Sequence, residues 1–87
     1  MTASDLCSLA LANGMDAKAA MSFDWSVIER AINETTMENL TIFALRIRND
    51  LYLGGGMGKQ DFDINYLSRL GEYEKKLAKR EGIAIGE

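Results

Sequence analysis

The chain has 87 residues, of which 26% are charged, and its formal net charge is −3. Its only cysteine, Cys7, has no intrachain disulfide partner, and the absence of histidine excludes Ser-His and Cys-His nucleophile pairs and a conventional structural zinc site. Because so short a chain buries only about 60–65% of its unfolded surface, we expect one domain that depends on a well-packed helical core, on oligomerisation, or on both.

The first predicted helix runs from Ser4 to Asn13, with Ser4 or Asp5 suited to cap its free N-terminal amides. The dipeptide Asn13-Gly14 is a typical helix end, because both residues tolerate the left-handed conformation. Residues 15–21 predict a short second turn of helix with Asp16 as its cap. The beginning of the chain therefore predicts two short helical pieces that meet near Gly14.

The next predicted helix spans Ser22 to Asn33. Asp24 or Ser26 is suited to cap it, and Ser26 with Glu29 has the spacing of a reciprocal capping box. Its apolar residues recur at helical intervals, which indicates that one face is buried.

The central helix is predicted over Thr35 to Leu53, opened by a capping-box match between Thr35 and Glu38. One apolar stripe follows steps of three and four residues: Met37, Leu40, Ala44, Ile47 and Leu51. A second set lies well round the cylinder: Ile42, Leu45 and Tyr52, with Phe43 on the flank. A helix that is apolar on more than one side has to be covered on more than one side, so we expect the other elements to pack around it.

A loop and a last helix complete the predicted fold. Four of the five residues in Gly54–Gly58 are glycine, which predicts a flexible loop because glycine loses much backbone entropy in a helix or strand. The last helix is predicted from about Asp63 to Glu81, with an apolar stripe that begins with Ile64, Leu67 and Leu70 and is extended by Tyr66, Tyr73 and Leu77. Within it, Gly71 either weakens the helix or lets a neighbouring helix approach. Gly82 ends it, and residues 83–87 form a mobile tail.

The predicted fold class is therefore all-α. We expect a single domain over residues 1–87, built as a small bundle of three or four helices. The last two helices form an antiparallel hairpin across the glycine-rich loop.

The glycine loop does not match a phosphate-binding loop. Leu53 stands where the first glycine should be, and Gln60 replaces the hydroxyl residue that binds magnesium. No other spacing brings a nucleophile together with a base or a metal partner. We therefore expect no enzyme activity, no cofactor and no metal.

The charges are unevenly placed along the chain. Residues 1–45 hold two basic and six acidic side chains, an arrangement that argues against nucleic acid and favours either solubility alone, the more common role, or a basic protein surface as partner. The candidate partner-binding residues are Asp24, Trp25, Glu29, Glu34 and Glu38. An aromatic side chain beside acids is a common anchor for a partner, although a lone tryptophan more often belongs to the core.

The second apolar set on the central helix predicts a homodimer. Ile42, Leu45 and Tyr52 are the candidate interface residues, because three other short helices cover one side of the central helix more readily than two. The N-terminal stretch lacks the basic start of a signal peptide, and no apolar run is long enough to cross a bilayer. We expect a cytoplasmic protein without a membrane segment.

These features favour a non-enzymatic protein-interaction module that regulates or inhibits a macromolecular partner. Phage and mobile-element inhibitors of host machinery, such as anti-CRISPR proteins, belong to this class, but no residue points to them specifically. The alternative is a small DNA-binding regulator with a helix-turn-helix over Leu6 to Ile32. Against this alternative, its groove-facing segment, residues 16–21, offers Lys18 as its only basic side chain.

Overall fold

The computed structural model describes residues 1–16, 22–53 and 57–83, which form helices and contain no strand. The elements are α1 (Ala3–Ala12), α2 (Ser26–Ile32), α3 (Met37–Arg48), a π-helical turn (Asn49–Leu53), α4 (Lys59–Phe62), a second π-helical turn (Asp63–Leu67) and α5 (Ser68–Glu81). Each π-helical turn continues its neighbouring α-helix without a break, so the chain contains four continuous helices within the described residues. The all-α bundle is confirmed.

The cap of α1 differs from the prediction. Thr2, and not Ser4 or Asp5, is the N-cap: its hydroxyl accepts a hydrogen bond from the Asp5 amide at 3.2 Å, and the Asp5 carboxylate accepts one from the Thr2 amide at 3.0 Å. The backbone hydrogen bond from Thr2 is the main reason that the pKa of Asp5 is lowered. This reciprocal capping box starts the helix at Ala3, one residue earlier than predicted.

The caps of α2 and α3 also correct the prediction. The N-cap of α2 is Trp25, whose side chain makes no capping hydrogen bond, so the helix begins at Ser26 and not at Ser22, and neither Asp24 nor Ser26 is the N-cap. The Asp24 carboxylate accepts a hydrogen bond from the Ser26 amide at 3.0 Å just before the helix. At α3 the cap is Thr36, whose hydroxyl accepts from the Asn39 amide at 3.2 Å. Thr35, the predicted cap, is buried instead and donates its hydroxyl to the Met1 carbonyl at 2.8 Å.

Glycine in the left-handed conformation ends both the first and the last helix, as predicted. Gly14 has φ 95° and Gly82 has φ 70°, values that L side chains rarely adopt. Beyond each glycine an amide reaches back five residues: Met15 donates to the Ala10 carbonyl at 2.9 Å, and Ile83 to the Ala78 carbonyl at 2.8 Å. These are Schellman motifs, which satisfy carbonyls that the helix itself leaves open. Residues 84–87, the rest of the predicted tail, lie outside the described residues.

The last helix begins earlier than predicted. Its first residue is Lys59, with Gly58 as N-cap, so Asp61 and Asp63 lie inside the helix and do not cap it. Its two ends meet the opposite ends of the preceding helix: the Tyr52 and Phe62 rings lie 6.1 Å apart, and the Met37 amide donates to Glu81 Oε2 at 2.7 Å. The connecting residues 54–56 lie outside the described residues, so the hairpin loop stays a prediction.

The core forms around α3, which packs against α1 on one side and α5 on another, while α2 contacts both α1 and α5. Phe43, expected on a flank, is fully buried, whereas Ile42 and Leu45 are 40% and 59% exposed. On the last helix the buried face is Phe62, Tyr66, Leu70, Tyr73 and Leu77. Ile64 and Leu67, which the sequence placed in the stripe of that helix, are exposed instead because the buried face follows the spacing of Phe62, Tyr66 and Leu70, and both residues lie off that face.

Gly71, in the middle of the continuous last helix, provides a test of the two roles left open by the sequence. No heavy atom outside the local helix backbone lies within 4 Å of the position that a Cβ would occupy there, so no close helix approach requires the glycine. We expect Gly71→Ala to stabilise the protein by about 0.5–1 kcal/mol, since alanine loses less backbone entropy in a helix. Thermal unfolding followed by circular dichroism checks this, and a lower melting temperature would contradict it.

Candidate interaction surface

A groove runs between α3 and the last helix on the side that the other helices leave open. Two adjoining hollows, of about 140 and 290 Å³, share Arg48, Phe62 and Leu67 in their walls. We name their combined lining the α3–α5 groove; it consists of Thr41, Ala44, Leu45, Arg48, Tyr52, Lys59, Phe62, Asp63, Leu67, Leu70 and Glu74. Buried Phe62 and Leu70 form its apolar floor, and Leu45 and Leu67, 59% and 50% exposed, stand in its walls.

Two of the three predicted dimer-interface residues line the groove. Leu45 and Tyr52 lie in its α3 wall, and Ile42 lies outside the lining, exposed on α3 one turn before Leu45. In the opposite wall, Phe62 was not predicted because it precedes Asp63, the predicted start of the last helix, and Leu67 was predicted to belong to the buried stripe. The four-residue spacing of Phe62, Tyr66 and Leu70 is the signal that reveals this face.

Both π-helical turns lie at the Tyr52 end of the groove. The first contains Tyr52 itself, and the second contains Asp63 and Leu67. A π-helical turn is rare and often occurs at a functional site, because its extra residue displaces the side chains around it from the regular helical pattern. Here these displaced side chains include parts of both walls of the groove.

The groove contains equal numbers of basic and acidic side chains. Glu74 lies in the hollow that contains Thr41, whereas Lys59 and Asp63 lie in the hollow that contains Tyr52. Arg48 lines both hollows, so the groove holds two basic and two acidic side chains. A partner at this surface therefore meets an apolar strip with an acidic end and a mixed, basic-rich end.

Trp25, a candidate partner-binding residue, is only 8% exposed. Its ring lies 5.4–6.0 Å from the rings of Phe23, Tyr66 and Tyr73, and the Arg69 guanidinium stands 5.5 Å above it. The side chain thus joins α2 to the last helix through aromatic and cation–π contacts. It has little surface left to offer a partner.

Glu29 is engaged with α5. Its carboxylate accepts a hydrogen bond from the Tyr73 hydroxyl at 3.2 Å and lies 3.6 Å from the Arg69 guanidinium. Burial, reinforced by the Glu29 charge, raises the pKa of Tyr73 to about 12. Burial also raises the pKa of Tyr66 to about 12, with a further contribution from Asp16. Both phenols therefore stay neutral at physiological pH and act as packing groups.

The other acidic candidates lie at the ends of α2 and the start of α3. Asp24 precedes α2, where its carboxylate accepts a hydrogen bond from the Ser26 amide that lowers its pKa. Glu34 lines a separate hollow of about 310 Å³ between α1 and α2, and Glu38 is exposed in the first turn of α3. Asp24, Glu34 and Glu38 all leave their side chains accessible.

The basic end of α5 lies against this acidic part of the chain. The Lys76 ammonium lies 3.5 Å from the Asn33 side-chain oxygen. The Arg80 guanidinium donates to the carbonyls of Ile32 at 3.4 Å, of Asn33 at 3.2 Å, and of Thr35. The two halves of the chain, opposite in charge, thus meet within one molecule, which reduces the field that the acidic half alone would create.

In the described parts of the chain, the lone cysteine and the metal-binding residue types offer little chemistry. Burial raises the pKa of the half-buried Cys7 thiol, which keeps it protonated and unreactive at neutral pH. Within the described ranges, His, Cys, Asp and Glu side chains form no group able to hold a metal ion. Residues 17–21, which include most of the predicted groove-facing segment of the helix-turn-helix, lie outside the described residues.

The helices in the described parts of the chain are too short or too polar to span a membrane. No family model, no curated protein and no solved structure matches this chain.

Proposed function

We propose that the protein is a non-enzymatic interaction module that regulates or inhibits a macromolecular partner through protein–protein contacts. The single observation that supports this function best is the α3–α5 groove, an apolar strip with leucine side chains half or more exposed in both walls. Exposed apolar side chains gathered around a concave surface, with charges beside them, are typical of protein interaction sites.

The charges beside the groove support contacts with protein. Arg48, Lys59, Asp63 and Glu74 are positioned to form ion pairs with a polypeptide that carries both signs of charge. A nucleic-acid surface requires clustered lysine and arginine, which this balanced groove does not supply. Glu34 and Glu38 provide separate, exposed carboxylates at which a basic protein surface would gain additional contact.

Leu45→Glu tests this function. We expect the charge, placed on a side chain that is 59% exposed, to leave the fold intact while it prevents an apolar partner from entering the groove. Affinity capture from a bacterial lysate, with the bound proteins identified by mass spectrometry, should show partners that the unaltered protein retains and this variant loses.

Leu11→Glu is the matched control, because Leu11 is 56% exposed but lies on α1, outside the lining of the groove. It introduces the same charge and should retain the same partners as the unaltered protein. If the unaltered protein and both variants capture the same partners, or if the unaltered protein captures no specific partner, the groove is not the interaction surface.

A further inference from the structure

We infer that the α3–α5 groove binds a second copy of this chain, and that the two copies are related by a two-fold axis through the middle of the groove. This inference rests on the proposed interaction surface and names its occupant. It replaces the predicted interface of Ile42, Leu45 and Tyr52 with one in which the last helix contributes an equal share.

Charge neutrality is the first reason for a second copy. The whole chain has a net charge of −3, so two copies repel each other over most of their surfaces. In the groove the two basic residues, Arg48 and Lys59, balance the two acidic ones, Asp63 and Glu74. An interface between identical chains requires such a locally neutral surface, because each copy presents the same charges to the other.

The order of those charges is the second reason. Glu74 and Lys59 stand at opposite ends of the groove, separated by about 20 Å along the helix axis. A two-fold axis at the centre of the groove exchanges its ends, so Glu74 of one copy comes level with Lys59 of the other. Because the axis relates the two copies equally, this pair forms twice, so two oppositely charged pairs lie at the rims of one interface.

The shape of the surface is the third reason. Leu45 and Leu67 stand in walls beside a hollow of about 140 Å³. A hollow of about this size accepts a benzene-sized apolar group, so it has room for the Leu67 side chain of a second copy. Leu67 lines both hollows and therefore stands near the two-fold axis, where the two copies meet. Small Ala44 in the α3 wall leaves room for that side chain to enter. Each copy then supplies both the projecting side chain and the receiving hollow, as an isologous contact requires.

Sedimentation equilibrium across the micromolar range tests the inference directly. The unaltered protein and the Leu11→Glu control should approach twice the 9.6 kDa mass of the chain as concentration rises. Leu45→Glu should remain at 9.6 kDa. A single 9.6 kDa species for the unaltered protein at every concentration would overturn the inference. If Leu45→Glu still lost a captured partner in that case, the groove would bind a different protein and the proposed function would stand.

Charge reversal tests the two-fold arrangement. Glu74→Lys and Lys59→Glu, each alone, should weaken self-association by about tenfold, because each places like charges level with one another across the interface. The double variant should recover the affinity of the unaltered protein. Since these side chains are too far apart to pair within one copy, recovery reports a contact between copies. A double variant weaker than either single one would rule out this arrangement.

Discussion

Replacement of Trp25 by alanine is expected to remove about 3–5 kcal/mol from the free energy of unfolding. The side chain is 8% exposed and contacts three aromatic rings and the Arg69 guanidinium, so its loss leaves a large cavity between α2 and the last helix. A small domain has a total stability near the lower end of about 5–15 kcal/mol. The variant is therefore expected to be partly unfolded at room temperature.

Urea unfolding followed by circular dichroism measures this loss without depending on tryptophan fluorescence. Trp25→Phe keeps an aromatic ring in the cluster and should lose much less stability. An unchanged urea midpoint for Trp25→Ala would instead mean that the side chain is dispensable to the core and available to a partner. The experiment thus decides between the two roles that the sequence alone left open for this residue.

Arg80→Ala has the second largest expected effect, a loss of about 2 kcal/mol. Its guanidinium donates to three backbone carbonyls at the end of α2 and in the turn before α3, and hydrogen bonds from a charged donor are stronger than neutral ones. The Arg80 side chain is 43% exposed, so in the variant water partly replaces its hydrogen bonds to the carbonyls. The loss of stability is therefore smaller than for a buried charge.

For a domain of this size, the melting temperature should fall by about 10 °C. Lys79→Ala is the matched control: it removes the same charge from an exposed neighbouring position, and its effect should stay within about 0.5 kcal/mol. Arg80→Lys should behave more like Arg80→Ala than like the unaltered protein, because a lysine cannot reach several carbonyls at once. Equal melting temperatures for Arg80→Ala and Lys79→Ala would contradict a specific role for Arg80.

The sequence predicted the helices better than their beginnings and their contacts. Gly14 and Gly82 signalled helix ends unambiguously, because few residues other than glycine adopt their conformation. Helix starts were less certain, since several Ser, Thr and Asp residues near each start are suited to cap it. In the structure the caps of α1 and α3 are Thr2 and Thr36. Local sequence does not reveal which cap is compatible with packing, as buried Thr35 illustrates.

The candidate surface was predictable only on one wall. The apolar set on the central helix identified Leu45 and Tyr52, because regular helical spacing holds through most of α3. On the last helix, the predicted start at Asp63 left out Phe62, and the stripe was begun at Ile64 instead, so Leu67 was assigned to the wrong face. The acidic candidates were chosen by charge sign, and sequence alone does not show that Glu29 faces Arg69 and Tyr73.

The left-handed glycine at the end of α5 has a consequence for local opening of the fold. Helix ends fray, and the last turn of α5 contains both Arg80, which holds the α2–α3 turn, and Glu81, which accepts from the first amide of α3. When that turn opens, the turn between α2 and α3 loses these contacts at the same moment. Gly82 therefore protects the Met37 amide, more than forty residues earlier in the chain, from exchange with solvent.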